Sequence, residues 1–217
     1  IECARGAGKT SLAATLLLHC GMHYPGADVL CLANTVVQAR QAFDQANNMG
    51  AMAFGDVNDP ESDGVGDLRI TERKTVVLPT KAKIRPYASK TSTLDGLKAV
   101  AYILDETSEA KSDGMFAKIE SATQKLRDSF FVSITTPGGI ENGRDSPYYQ
   151  RRRTAVQALD PKESANLDGV FAALFGIDEE DDLEDPAVWI KGQPSLGHVI
   201  PEQQYHRMLE QYRVQGK

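Results

Sequence analysis

The sequence predicts an α/β fold: a mainly parallel sheet flanked by helices. Three observations carry this. A glycine-rich turn, Arg5-Gly6-Ala7-Gly8-Lys9-Thr10, runs straight into an apolar helical stretch with Leu12, Ala13, Leu16 and Leu17. Short apolar runs with strand character then alternate with helical segments, the pattern of βαβ units. One of those runs, Ala99 to Leu104, ends in the carboxylate pair Asp105-Glu106.

The elements follow in order. Ile1-Glu2-Cys3-Ala4 reads as the end of a buried strand, so the chain is expected to start inside its domain. Asp28 to Ala33 is an apolar run of strand character, and Asn34 is placed to cap a helix over Val36 to Asn48. Gly55 to Gly66, rich in Gly, Asp and Pro, reads as a loop. Strands are expected at Leu68 to Thr71, Thr75 to Leu78 and Lys83 to Ala88, with Glu72-Arg73-Lys74 as a hairpin turn. Asp95-Gly96 marks a turn before the strand Ala99 to Leu104. A helix over Ser112 to Leu126, a strand over Phe130 to Thr135 and a break at Pro137-Gly138-Gly139 come next. A helix from Pro147 to Leu159 and a strand from Val170 to Phe175 complete a core spanning residues 1–175. Residues 176–217 change character: a nearly all-acidic run from Asp178 to Asp185, then Pro186, Trp189, Pro194 and Gly197. A helix-like segment from Pro201 to Val214 ends this short C-terminal linker.

Composition narrows the class. With 41% hydrophobic and 25% charged residues, the 217-residue chain is ordinary globular material. No apolar run reaches membrane-spanning length, and no signal peptide is read. Cys3, Cys20 and Cys31 lack metal or disulfide spacing and read as buried thiols. His19 and His23 lie four apart without an acidic third ligand, so no zinc site is expected. The net charge is −6, of which residues 1–175 carry −1 and 176–217 carry −5. The acidity sits in the tail, and no strong electrostatic footprint for nucleic acid is present.

The chemistry lies in three motifs. Gly8-Lys9-Thr10 fills the second half of a Walker A loop; the first glycine of that pattern falls at Cys3. Gly6 and Gly8 let the backbone curl so that successive N–H groups face phosphate oxygens, and the helix beginning near Lys9 adds its positive end. The cradle is Arg5, Gly6, Ala7, Gly8, Lys9, Thr10 and Ser11, with Lys9 reaching the β- and γ-phosphates of ATP and Thr10 holding Mg²⁺. Asp105-Glu106 after its apolar strand is the Walker B pattern: Asp105 supports the metal and Glu106 orients or deprotonates the attacking water. The strand is expected beside the P-loop strand. An adjacent glutamate base separates hydrolytic motors from P-loop kinases, so the fold class is a P-loop NTPase of the additional-strand catalytic-glutamate type. The third motif, Ser133-Ile134-Thr135-Thr136, ends the next strand in hydroxyls placed to meet the γ-phosphate or the water.

In this order the motifs resemble the ATPase domain of the large terminase subunit of tailed bacteriophages. The likeness extends to Asn34-Thr35-Val36-Val37-Gln38-Ala39, to Ala88-Ser89-Lys90 with Leu94-Asp95-Gly96-Leu97, and to Asp105-Glu106-Thr107-Ser108-Glu109. It continues through Ser146-Pro147-Tyr148-Tyr149 and the acidic, Trp189-Ile190-Lys191 and Pro194-Ser195-Leu196-Gly197 series. The resemblance implies an ATP-driven motor that packs double-stranded DNA into a procapsid. It would work as a homo-oligomeric ring with a portal protein and a small terminase subunit, in the cytoplasm of a bacterial host and without a membrane. It implies that Thr135 and Thr136 couple hydrolysis to movement and that Arg5 senses the γ-phosphate. It also implies an arginine acting in trans, for which Arg127, Arg144 and Arg151 are candidates. The family's adenine-contacting segment and nuclease carboxylates are not found in the sequence, so weak nucleotide binding, slow hydrolysis and no DNA cleavage are expected. A helicase-like P-loop motor and a non-catalytic nucleotide-binding module are the alternatives. Thr107-Ser108 after Asp105-Glu106 departs from the common helicase continuations.

Overall fold

The computed structural model describes residues 1–88, 98–109, 114–138, 145–182 and 184–214. Chain contacts divide the protein into two units: Thr10–Thr154, and Ile1–Lys9 together with Ala155–Lys217. The Asp95-Gly96 turn, the Ser89-Lys90 and Leu94 to Leu97 motif pieces, Gly139 and Arg144 lie outside the described residues.

In the larger unit, helix α1 (Lys9–His23) precedes strand β1 (Asp28–Ala33) and helix α2 (Val36–Phe54). Strands β2 (Leu68–Ile70), β3 (Thr75–Val77), β4 (Lys83–Ala88) and β5 (Ala101–Asp105) follow, then helix α3 (Gly114–Thr123), strand β6 (Phe130–Ile134) and the start of helix α4 (Pro147–Leu159). They form one six-stranded sheet in the order β2-β3-β4-β1-β5-β6. β4, β1, β5 and β6 run parallel, while β2 and β3 add an antiparallel hairpin beyond β4. The mainly parallel sheet flanked by helices is therefore present. The hairpin turns at Glu72-Arg73-Lys74, closed by the Thr71 amide on the Lys74 carbonyl at 3.0 Å.

The central strand β1 is buried from Val29 to Ala33, as a parallel strand covered on both faces must be. Alternation splits its side chains. Leu30 and Leu32 join Tyr102 and Leu104 of β5 in a cluster with Met115, Phe116, Ile119 and Ala122 of α3. Cys31 faces the other way, its thiol donating to the Ala39 carbonyl of α2 at 3.1 Å. Leu18 of α1 and Leu68 of β2 pack directly on the backbone of α2 at Gly50, which has no side chain. A Cβ there would lie 2.6 Å from Leu68 Cδ1 and 3.0 Å from Leu18 Cδ2.

Two expectations about α2 change. The helix runs to Phe54 instead of stopping at Asn48, because Gly50 is a packing position inside it and not a break. Thr35, not Asn34, is the N-cap. Its hydroxyl accepts from the Gln38 amide at 3.2 Å and the Gln38 side chain accepts from the Thr35 amide at 3.1 Å, a reciprocal capping box. After α2 the chain loops out and returns to its starting point. Asp67 N donates to Phe54 O at 2.8 Å and Leu68 N to Gly55 O at 3.1 Å. Gly66 (φ +155°) lies so close that a Cβ there would be 2.6 Å from the Gly55 carbonyl carbon.

In the smaller unit, Glu2 bridges Leu174 in parallel: Glu2 N donates to Ala173 O at 2.9 Å and Phe175 N to Glu2 O at 2.8 Å. The strand expected over Val170 to Phe175 reduces to this bridge, and Phe171 is 82% exposed. Helix α5 (Pro186–Gly192) arises within the expected linker, with Asp185 capping the Ala187 amide at 2.9 Å and Pro186 opening the first turn. Helix α6 (Glu202–Val214) packs on it through Trp189, whose ring meets His206 edge-on at 4.5 Å and Tyr205 at 5.5 Å. Lys191 bridges Asp178 at 3.1 Å and Asp181 at 2.6 Å, tying the acidic run to α5.

Candidate functional site

The site residues fall in both units, and each group has its own geometry. In the smaller unit, Gly6 and Gly8 take positive φ of +83° and +85°. A Cβ at Gly8 would meet nothing within 4 Å, so glycine answers a backbone requirement there and not a lack of space. Ala7 N donates to Ala4 O at 3.3 Å, closing the turn. Lys9 is buried, and its ammonium donates to the carbonyls of Cys3 at 3.0 Å and Ala4 at 2.8 Å. An ammonium has three N–H donors, so two of them hold it inside the loop it belongs to. Burial raises the Cys3 thiol above its ordinary value, and the nearby Lys9 charge pulls it partly back. Arg5, Gly6 and Gly8 are exposed.

In the larger unit, Thr10 and Ser11 stand in the first turn of α1. The Ser11 hydroxyl accepts from Gln45 Nε2 of α2 at 2.7 Å, which keeps its O–H donor and leaves its amide at the helix start.

The tips of β5 and β6 form a connected group. Asp105 is the last residue of β5, buried, with Oδ1 accepting the Glu106 amide at 2.9 Å. That bond turns the chain sharply, and Glu106 sits at φ +55°, an uncommon conformation for a non-glycine residue. The turn aims the Glu106 carboxylate at β6, where Oε2 accepts from Thr136 Oγ1 at 3.1 Å. Thr135 Oγ1 accepts the Ser108 amide at 2.9 Å and donates to Thr136 O at 2.9 Å. Thr107 and Ser133 share a 2.5 Å hydroxyl pair. Four of the residues singled out in the sequence, Asp105, Glu106, Thr135 and Thr136, are thus brought together by two neighbouring parallel strands. One expectation needs correction. β5 has β1 on one flank and β6 on the other, so its ladder partners are Asp28–Ala33 and Phe130–Ile134 and neither is the P-loop strand.

Sequence reasoning missed Gly138. A Cβ there would lie 2.9 Å from two ring atoms of Tyr148 and 3.2 Å from Ser108 Cβ, and Tyr149 OH donates to Gly138 O at 3.2 Å. The Tyr148-Tyr149 helix start therefore grips the segment just past Thr136; the signal was the Pro137-Gly138 pair, read only as a break. Among the candidate arginines, Arg151 pairs with Glu120 and lies over the Phe116 ring at 4.8 Å, so it braces α4 on α3. Arg127 is exposed.

The family described as terminase large subunit, ATPase domain, matches residues 1–156. Protein YmfN of Escherichia coli (strain K12) is 29% identical over 103 residues, which are 48% of this chain and 22% of that protein. The crystal structure of the HK97 bacteriophage large terminase superposes with a TM-score of 0.77 at 21% identity, covering 97% of this chain and 42% of that one. A large terminase from a thermophilic bacteriophage in complex with ADP superposes with a TM-score of 0.58 at 14% identity, covering 96% of this chain and 44% of that one. These structural likenesses speak to the fold. The chain spans less than half the length of each of these three proteins. With most of its length matched by the family, this chain belongs to the ATPase domains of terminase large subunits.

Proposed function

We propose that this chain hydrolyses ATP as the motor domain of a DNA-packaging terminase, driving double-stranded DNA into a procapsid. The observation that carries the reading is the Glu106–Thr136 hydrogen bond at the tips of β5 and β6. It sets a carboxylate base and a hydroxyl segment in one bonded group, as a hydrolysis site coupled to movement requires. Family membership supports hydrolysis in general, and the ADP complex of a related large terminase supports a nucleotide as the ligand.

The residues suit the ligand. The two positive-φ glycines present a curled backbone, and Lys9 adds a cation within it. Thr10 and Asp105 supply hard oxygen donors, the kind Mg²⁺ prefers. In this reading Arg5, Gly6, Ala7, Gly8, Lys9, Thr10 and Ser11 would take the phosphates, while Thr10 and Asp105 would hold Mg²⁺. The metal, when bound, neutralises charge on the phosphate oxygens. Glu106 accepts a proton from the water that attacks the γ-phosphorus, and ADP leaves. Thr136, bonded to Glu106, registers the change and passes it through Thr135 to Ser108. Residues 1–175 act as the ATPase core, and 176–217 as an acidic linker towards a nuclease domain. The working motor is a homo-oligomeric ring on a portal protein, served by a small terminase subunit in the bacterial cytoplasm.

The test is Glu106→Gln. ATP should still bind while turnover falls at least about a hundredfold, and linear duplex DNA should stimulate the unmodified chain without strand separation. Unchanged turnover in the variant removes Glu106 from its role.

A further inference from the structure

Two consecutive residues at the end of α5 hold Ala4, which leads into the glycine-rich loop, and Arg5, which opens it, all within the smaller unit. The Gly192 carbonyl accepts the Ala4 amide at 3.1 Å, and Gln193 Nε2 donates to the Arg5 carbonyl at 2.8 Å. Gln193 is 1% exposed. Its Oε1 accepts from the Ser195 hydroxyl at 2.9 Å, which settles the carboxamide with its NH₂ towards Arg5. The Leu196 amide donates to the Gln193 carbonyl at 3.0 Å, and the Gln193 amide donates to Trp189 O at 2.9 Å, so the residue is fixed at its backbone too.

The Arg5 carbonyl and the Gly6 N–H belong to one planar trans peptide and point in opposite directions. A donor anchored on the carbonyl therefore aims the Gly6 amide the other way. Gly6, at φ +83°, has little steric preference of its own with which to hold that direction. The back of the loop lies against the same segment: a Cβ at Gly6 would be 3.3 Å from Ile200 Cδ1 and 3.9 Å from Gln193 Nε2.

We propose that Gln193 is a positioning residue of the phosphate loop, orienting the Arg5–Gly6 peptide so that its N–H is preset for a phosphate oxygen. This makes the segment after α5 part of the nucleotide-binding apparatus, though it touches no phosphate itself. The inference rests on residues 5–10 being the phosphate-binding loop.

The experiment titrates the full 217-residue chain with ATP, ADP and inorganic tripolyphosphate in Mg²⁺, and follows amide hydrogen exchange of residues 4–8. Gln193→Met keeps length and bulk but removes the donor. It should weaken all three ligands by about tenfold and speed exchange in the loop, while the ligand-free chain, lowered in melting temperature by several degrees, stays folded at the titration temperature. Ser195→Ala, which only loosens the carboxamide, should weaken them by a smaller factor in the same direction. If Gln193→Met binds as the parent does while Lys9→Ala loses binding, the positioning role is overturned and the loop reading stands. If Lys9→Ala also binds normally, the loop reading fails and the inference with it. A loss confined to ADP and ATP but absent for tripolyphosphate also overturns it. Should Gln193→Met not fold, Ser195→Ala decides: unchanged tripolyphosphate affinity overturns the role.

Discussion

Thr136 donates its hydroxyl to the Glu106 carboxylate across the tips of two parallel strands, at 3.1 Å. The Thr136→Val variant keeps the shape and removes the donor. Turnover of ATP should fall about tenfold, with KM within about twofold, because the bond orients the base and does not hold the nucleotide. Steady-state hydrolysis in Mg²⁺ measures it. A raised KM with normal kcat would place Thr136 in binding instead.

Thr135 has a different task. Its buried hydroxyl accepts the Ser108 amide and donates to Thr136 O. Thr135→Val withdraws both bonds in a buried setting and should cost about 1–3 kcal/mol in urea unfolding. No change in the unfolding midpoint would mean the β5–β6 connection is held elsewhere.

At Gly138 the limit is space. A Cβ would press on the Tyr148 ring at 2.9 Å and on Ser108 at 3.2 Å. Gly138→Ala should destabilise by about 1–3 kcal/mol and lower turnover, since it pushes on the segment that carries Thr136. Thr35→Ala provides the contrast: losing the α2 cap should cost about 1 kcal/mol and leave KM for ATP alone.

Two thiols give the chain a pH dependence. Burial pushes Cys20 from 9.0 up to about 11 and Cys31 up to about 12, with Asp105 adding to the second. The folded state therefore keeps protons that the unfolded chain gives up. This contribution is fully present below pH 9 and is lost as pH rises towards 11 and 12, at about 1.4 kcal/mol per pH unit for each thiol. Urea unfolding at pH 8, 9 and 10 checks it against Cys20→Ala/Cys31→Ala. The stability difference between the two proteins should shrink as pH rises, and a constant difference counts against the assignment.

Elements with a local period were readable: β1, β5 and β6 are apolar runs with few alternatives, and α4 starts and ends where its sequence says. Four things were not. The helix beyond Asn48 was one, because what keeps Gly50 helical is Leu18 and Leu68 packing on it from other elements. The start of α5 at Asp185-Pro186 carried a capping signal that the surrounding acidic run concealed. In the site, motif spacing names Asp105, Glu106, Thr135 and Thr136, but not the bond between Glu106 and Thr136, which a ladder register fixes. Gln193 and Arg5, 188 positions apart, leave no shared pattern for a reader of the chain to find.

The crossing at Gly55 and Gly66 also has a practical side. Asp56, Val57 and Asn58 stay bonded to Leu68 and Ile70 of β2, and only residues 59–65 loop out from there and come back to Gly55, so their number does not set the path into β2. A peptide spliced in after Glu61, at an exposed point far along that excursion, should hang clear of the sheet. That makes it a natural place for an affinity handle or a fluorophore.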